Sequence, residues 1–261
     1  MRLPIYQVDA FTNELYKGNP AAVVILNKWL DDETMQNIAM ENNLAETAFV
    51  APQGTDLHIR WFTPTTEMDL CGHATLAAAH VLFEYEDLEG DDVIFNSRSG
   101  ILKVFRNSNH LTLDFPVDEY SYVSELPELM RLDNKNLVKE VYRGKTDLMF
   151  VMARQEHIEN YIPSFDDLRK LNCRGVIITA PGNEVDFVSR FFAPQSGINE
   201  DPVTGSAHTT LTPYWSGKLG KQELKAEQLS PRGGQLVCEL KNDRVLIGGS
   251  CKTFFRGELY I

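Results

Sequence analysis

Five side chains are of types, and in surroundings, that can move a proton or hold an anion. They are Glu46 in NLAETAFV, Cys71 and His73 in LCGHAT, and Asp201 and Ser206 in NEDPVTGSAH. Glu46 stands where an apolar strand begins, between Leu44 and Phe49. A carboxyl among apolar neighbours is expected to titrate higher than in water, toward the range useful for general acid/base work. The same position also suits a solvated glutamate at a strand end. His73 falls at a helix start, where an imidazole can relay protons or simply cap. Asp201 and Ser206 are spaced like an N-cap and a first-turn donor, so capping by itself explains them as well. Cys71 is a candidate thiol base, or a packed thiol beside a helix of small residues.

These residues need elements to hold them, and the chain supplies the elements twice. Ala51-Pro52 opens a segment running through LHIRWFTP to Pro64, and Ala180-Pro181 opens one running through DFVSRFFAP to Pro194. Each is followed by a polar stretch and then a small-residue helix start. Aligning Gly72 with Gly205 sets His73 opposite Ser206 and Cys71 opposite Thr204. A second block repeats in the same order, with Arg98, Gly100 and Leu102 answered by Arg232, Gly234 and Leu236. Two matching blocks in one order predict a duplication: residues 1–116 and 117–252, with 253–261 a strand that can pair back with either half. The acid- and proline-rich FPVDEYSYVSELPEL reads as the crossing. Short alternating or apolar runs dominate both halves and predict strands. Asp31 to Asn42 predicts an amphipathic helix with Met35, Ile38 and Ala39 inward. His73 to Phe83 is apolar on nearly every side, so that helix must be buried all round, as inside a curved sheet. Ser206 onward should play the same part, shortened or kinked by Pro213. Helix N-termini at Gly72 and Gly205 carry unpaired N–H groups suited to a carboxylate, and if the halves face each other both can serve one ligand.

Composition narrows the alternatives. Hydrophobic residues make up 43% and charged residues 24%, ordinary for a globular chain. A net charge of −12 argues against nucleic acid as a partner. No apolar run is long enough for a membrane helix, and MRLPIYQVDAF has no signal-peptide pattern. The four cysteines, Cys71, Cys173, Cys238 and Cys251, form no CxxC pair. The expectation is free thiols in a reducing, cytoplasmic setting, with no metal site. GNP at 18–20 and RGG at 232–234 match no nucleotide-binding pattern, and no cofactor is expected.

GNPAAVV, NLAETAFV, RWFTPTTEMDLCGHATLAAAHVLF and RFFAPQSGINEDPVTGSAHTTLTPYW, in that order, resemble the phenazine-biosynthesis PhzF-like family. The resemblance extends over nearly the whole chain. It implies an α+β fold of the diaminopimelate-epimerase type: two pseudo-symmetric domains, each a mixed β-sheet wrapped around a central helix. It further implies a cofactor-independent isomerase, since the best-understood family reaction moves a proton between carbons of trans-2,3-dihydro-3-hydroxyanthranilate. By resemblance Glu46 is the acid/base, and His73, Asp201 and Ser206 surround the substrate. Gly72, Thr204 and Gly205 bind a small carboxylate, and the protein is a homodimer. Diaminopimelate epimerases proper use two cysteines, and only Cys71 is near such a position here. A thiol-dependent epimerase or racemase and a non-catalytic ligand-binding protein on the same scaffold are the competing readings.

Overall fold

The computed structural model describes residues 1–107, 110–125 and 137–261. Residues 126–129 of the stretch read as a crossing therefore lie outside the described residues. The chain forms two compact units: Met1–Asp114 with Gly248–Ile261, and Phe115–Ile247. The sequence division was placed at 116/117 and 252/253.

The first unit contains β1 (Arg2–Ala10), β2 (Asn19–Ile25), α1 (Asp32–Asn42), β3 (Glu46–Gln53), β4 (Asp56–Phe62), β5 (Glu67–Met68), α2 (Gly72–Tyr85), β6 (Asp92–Ser97) and β7 (Gly100–Arg106). The chain leaves this unit within β8 (Leu111–Pro116). The second unit holds β9 (Ser121–Tyr122), β10 (Val138–Arg143), β11 (Leu148–Met152), α3 (Gln155–Glu159), α4 (Phe165–Leu168), β12 (Val176–Pro181), β13 (Phe187–Ala193), β14 (Ile198–Asp201), α5 (Gly205–Leu219), β15 (Glu223–Gln228) and β16 (Gly234–Lys241). The chain returns within β17 (Arg244–Gly249) and ends in β18 (Cys251–Tyr260).

Strand pairing repeats from one unit to the other. In the first, β1 and β2 are antiparallel, β2 and β3 parallel, β3 and β4 antiparallel, β4 and β6 parallel, and β6 and β7 antiparallel. In the second, β10–β11, β11–β12, β12–β13, β13–β15 and β15–β16 follow the same alternation. A parallel pair needs a crossover, and each crossover carries helix: α1 and α2 in the first unit, α3 with α4, then α5, in the second. Gly100 and Gly234, matched by sequence, both open the strand that follows the second crossover pair.

The helices behave as their patterns require. Asp31 caps α1, accepting from the Thr34 amide at 2.8 Å, and Met35, Ile38 and Ala39 are its buried residues. They join Leu3, Ile5, Val24, Phe49 and Phe62 in one core. The helix α2 is buried from His73 through Phe83 except at His80. That half-buried ring meets Thr253 Oγ1 of β18 at 2.9 Å. It packs against β1, β2, β3 and β18, which is how a helix apolar on every side is accommodated.

One expectation fails. Pro213 neither shortens nor ends α5, which runs through it to Leu219 and is one residue longer than α2, 15 against 14. Proline removes the N–H that would bond the Thr209 carbonyl one turn earlier. That carbonyl instead accepts from the Asp118 amide at 3.2 Å. The Asp118 carboxylate also takes the Thr210 hydroxyl at 2.7 Å, so the segment after β8 closes over the gap. Among the described residues, no helix is long and apolar enough to cross a membrane.

The turn between β1 and β2 depends on Gly18. Its φ is +66°, and a Cβ there would lie 2.2 Å from the Ala10 carbonyl oxygen and 2.7 Å from Thr12 Cγ2. Gly18→Ala combines left-handed strain, about 1–2 kcal/mol, with a clash against main chain that cannot step aside. We expect a destabilisation of at least about 2 kcal/mol, read as a lower urea midpoint at unchanged m-value. An unchanged midpoint would show that the turn relaxes freely.

Candidate active site

In the first unit, three element starts bring polar side chains together. Asn19 opens β2, Glu46 opens β3 and His73 is the second residue of α2. Because β2 and β3 are parallel, with Ala21 opposite Glu46, Asn19 and Glu46 start from the same end of the sheet. The approach to Glu46 is set by Asn43, which ends α1 in the left-handed conformation at φ 49°. The Asn42 side chain then bonds Thr47 Oγ1 at 3.1 Å.

His73 lies between the other two. Its Nε2 is 3.2 Å from Glu46 Oε2, and its Nδ1 is 3.2 Å from Asn19 Nδ2. All three side chains are buried. Burial pushes the His73 imidazole down to about 3, so the ring is neutral near pH 7. An amide NH₂ only donates, and Cys71 Sγ, at 3.5 Å, approaches the same Nδ1. Nδ1 is therefore the acceptor, which leaves the ring proton on Nε2, in close contact with Glu46 Oε2 but outside hydrogen-bond geometry. Cys71 holds the N-cap position of α2, but its side chain makes no capping bond. Its carbonyl accepts from the Thr75 hydroxyl at 2.6 Å.

Glu46, Cys71 and His73 have ligating atoms within 4.8 Å of one another, which raises the question of a metal. The imidazole is divided between the other two, Nε2 toward Glu46 and Nδ1 toward Cys71. An ion on either nitrogen would have to displace one of these contacts. This set fits an imidazole shared between two side-chain neighbours better than a coordination sphere.

The second unit carries the remaining expected residues, with one correction. Asp201 does not cap α5; Thr204 holds the N-cap position. Asp201 Oδ2 instead accepts the Thr204 hydroxyl, because Asp201 belongs to β14 and sits three residues before the N-cap position, too far back to reach the helix amides in the N-cap manner. The turn is held by Gln228 from β15, whose Oε1 accepts from the Thr204 amide at 2.8 Å and whose Nε2 donates to the Asp201 carbonyl at 2.7 Å. Gly205 is the first residue of α5, as Gly72 is of α2, and the N-cap positions are Thr204 and Cys71. Ser206 Oγ accepts from Arg174 Nη2 at 3.0 Å. The same guanidinium forms a fork with the buried Asp147, with Nε to Oδ1 at 2.9 Å and Nη2 to Oδ2. Burial opposes the charge on Arg174, but Asp147 outweighs it, so its pKa is raised. With Arg174 donating, the Ser206 hydroxyl hydrogen is left to point elsewhere, and the residue can donate to an anion. One turn on, His208 Nδ1 donates to the Thr204 carbonyl at 2.8 Å, and burial lowers this ring to about 4.

Sequence reasoning missed Asn19, Arg174, Asp147 and Gln228. Asn19 had a signal, since it lies in GNPAAVV, one of the blocks that carry the family resemblance, but that resemblance gave it no role. The others come from strands and loops far along the chain, with no local pattern.

The sequence profile described as phenazine biosynthesis-like protein matches residues 8–257. The chain belongs to this family. An uncharacterized isomerase of Pseudomonas aeruginosa is 51% identical over 261 residues, covering 99% of each chain. A crystal structure of a PhzF family protein from Enterococcus faecalis superposes with TM-score 0.96 at 50% identity, covering 100% of both chains. A hydroxyproline epimerase from Agrobacterium vitis shares the fold with TM-score 0.64 at 8% identity, over 99% of this chain and 92% of that one. The α+β architecture, with a buried helix in each repeat, is thus that of the phenazine biosynthesis-like family and extends to epimerases.

The two buried histidines make stability depend on acid. Each is neutral when folded, with its pKa below the ordinary value near 6.5. Their contribution is complete above pH 6.5. It is lost as pH falls toward 4 for His208 and 3 for His73, because the unfolded chain takes up protons that the folded chain refuses. We expect up to about 1.4 kcal/mol of stability lost per pH unit for each ring in that window. Urea melts from pH 7 to pH 4.5 check this. His73→Gln should flatten the slope by about one proton, and an unchanged slope would mean that this ring is protonated in the fold.

Proposed function

We propose that this member of the phenazine biosynthesis-like family is a cofactor-independent isomerase that moves a carbon-bound proton on a small carboxylate, with Glu46 as the acid/base. The reading rests on one observation: a buried carboxyl 3.2 Å from the Nε2 of a buried, neutral imidazole whose other nitrogen faces the donors Asn19 Nδ2 and Cys71 Sγ. His73 then stands beside Glu46 without charge near pH 7, and its burial disfavours it as a competing base. Glu46 takes a proton from one carbon as the C–H bond breaks and its electrons shift into the neighbouring π system. It then returns the proton to a second carbon as the double bond migrates. Protons and electrons balance within the substrate, which is why no redox partner is required. Relatives bear the name isomerase, which agrees with this class of reaction.

The same reading gives His73, Asp201 and Ser206 supporting roles around the substrate. The α2 and α5 amides at Gly72 and Gly205 are donors for a carboxylate, while Thr204, whose amide goes to Gln228 and whose hydroxyl goes to Asp201, shapes the turn beside them. None of the four cysteines is in a disulfide, which suits a reducing cytoplasmic setting. Cys71 approaches the accepting nitrogen of His73, where a thiol serves as a weak donor, and its counterpart is Thr204. The paired thiols of a two-base racemase are therefore missing.

Incubation of candidate carboxylates with the enzyme in D₂O, followed by mass spectrometry, tests the reaction class. We expect deuterium at carbon for at least one substrate. Glu46→Gln should slow exchange by about 10²- to 10⁴-fold while the circular dichroism spectrum is unchanged. Glu46→Asp should also be impaired, because the carboxyl falls one methylene short. Cys71→Ala should retain turnover. Loss of exchange in Cys71→Ala with full activity in Glu46→Gln would transfer the role of base to the thiol. Tight carboxylate binding without exchange would make the protein a binding module.

A further inference from the structure

The second unit repeats, with other residues, the three-element arrangement that gathers Asn19, Glu46 and His73 in the first. Strands β11 and β12 are parallel, as β2 and β3 are, and Asp147 and Arg174 stand just ahead of their first paired residues, Leu148 and Val176. Ser206 is the second residue of α5, as His73 is of α2. The main chain ties the two strand starts together: the Arg174 amide donates to the Thr146 carbonyl at 2.7 Å, and the Leu148 amide donates to the Gly175 carbonyl at 3.0 Å. The side chains tie them again through the Asp147–Arg174 fork. Phe191 lies 5.3 Å from the guanidinium carbon, and its ring comes this close because residue 175 is glycine; a Cβ there would meet the ring at 2.3 Å. Asp147 is 3% exposed, whereas the Arg174 side chain keeps 40% of its surface. The fork is anchored at its buried end, and Nη2 reaches Ser206 Oγ at 3.0 Å.

This contact is directional. A guanidinium only donates and stays protonated. The Ser206 oxygen is therefore the acceptor toward Arg174, and its hydrogen turns away. A serine in a helix can spend that hydrogen on the carbonyl one turn back. Here that carbonyl, of Pro202, accepts from Ser230 Oγ at 2.8 Å. Among the described residues, the Ser206 hydroxyl donates to no protein group. Asp147 balances the charge of Arg174, so the pair supplies direction more than net attraction. We propose that Arg174 is a positioning residue, anchored by Asp147, that turns the Ser206 hydroxyl into a fixed donor for the carboxylate of the substrate. The inference rests on the reading that Ser206 faces that carboxylate.

A double-mutant cycle in carboxylate binding tests it, with anthranilate and benzoate as probes and calorimetry on the full chain. Ser206→Ala and Arg174→Lys should each weaken binding by about ten-fold. Lysine keeps the charge but cannot make the fork and reach the hydroxyl together. The double variant S206A/R174K should bind within about two-fold of Ser206→Ala alone, because nothing is left for Arg174 to hold. A merely structural role would not make the effect of Arg174→Lys vanish in that background, and urea melts check the fold of each variant. If Arg174→Lys does not fold, Asp147→Asn, which keeps the shape and weakens the fork, should give the same pattern. Ser206→Ala or Arg174→Lys that binds like wild type overturns the proposal. So does a loss that persists in full in the Ser206→Ala background, which would mean that the guanidinium touches the ligand itself. Wild-type protein that binds neither probe overturns it as well. Deuterium exchange is read separately: coupling in binding with no exchange on any carboxylate unseats Glu46 as the base and leaves Arg174 in its role.

Discussion

The buried polar series Asn19–His73–Glu46 is the constraint around which the first unit is arranged. A buried neutral histidine is tolerated where polar partners lie beside its ring nitrogens. Here the partners come from the first residues of two parallel strands, and the ring from the first turn of the helix those strands help to cover. The parallel register of β2 and β3 thus fixes the spacing of these polar side chains as well as the packing. The left-handed turn at Gly18 matters for the same reason, since a side chain there would meet the Ala10 carbonyl and Thr12 just before Asn19 begins. Burial sets the protonation state of the ring, and keeps it neutral near pH 7.

The second repeat keeps the framework and changes the chemistry. Each unit has the same sequence of parallel and antiparallel pairs, and each places a buried helix after its second antiparallel hairpin. At the helix start, however, a neutral imidazole in one unit is answered by a serine beside a charged guanidinium in the other. A duplicated scaffold leaves one copy free to lose the titratable group once the other retains it. Arg174 can remain charged because Asp147 holds it in a two-pronged bond and Phe191 lies beneath its plane. The second helix also bears a proline in its middle, at no loss of length. The donor that proline removes is replaced from the segment following β8, and a local defect becomes a long-range tie.

Much of this was legible in the sequence, and for stated reasons. Strands and helices with strong hydrophobic periodicity announce themselves, and the repeated Gly and Arg-Gly-Leu landmarks exposed the duplication. The uniform apolarity of His73 to Phe83 demanded a helix covered by sheet. Glu46 was recognisable as a carboxyl at the start of an apolar strand, and His73 and Ser206 as residues of helix starts. These are properties of neighbouring residues, which a window of the sequence contains.

Tertiary structure decided how those residues meet. Asn19 and His73 are 54 positions apart, and Arg174 and Ser206 are 32 apart. Only the packing of strands and helices within each unit brings them within hydrogen-bond range. Asp201 looked like a cap because its spacing allowed it, yet the strand it belongs to turns its carboxylate onto Thr204, and Gln228 holds the turn from another strand. Pro213 looked as if it would shorten or kink the helix because local rules count only the lost amide, and the replacement donor came from Asp118. The amino-acid sequence by itself determined which elements form and which faces they bury. The partners that each polar group finds once water is excluded, and hence its charge state, were settled by the folded arrangement, because hydrogen bonds between distant residues exist only after the strands have paired.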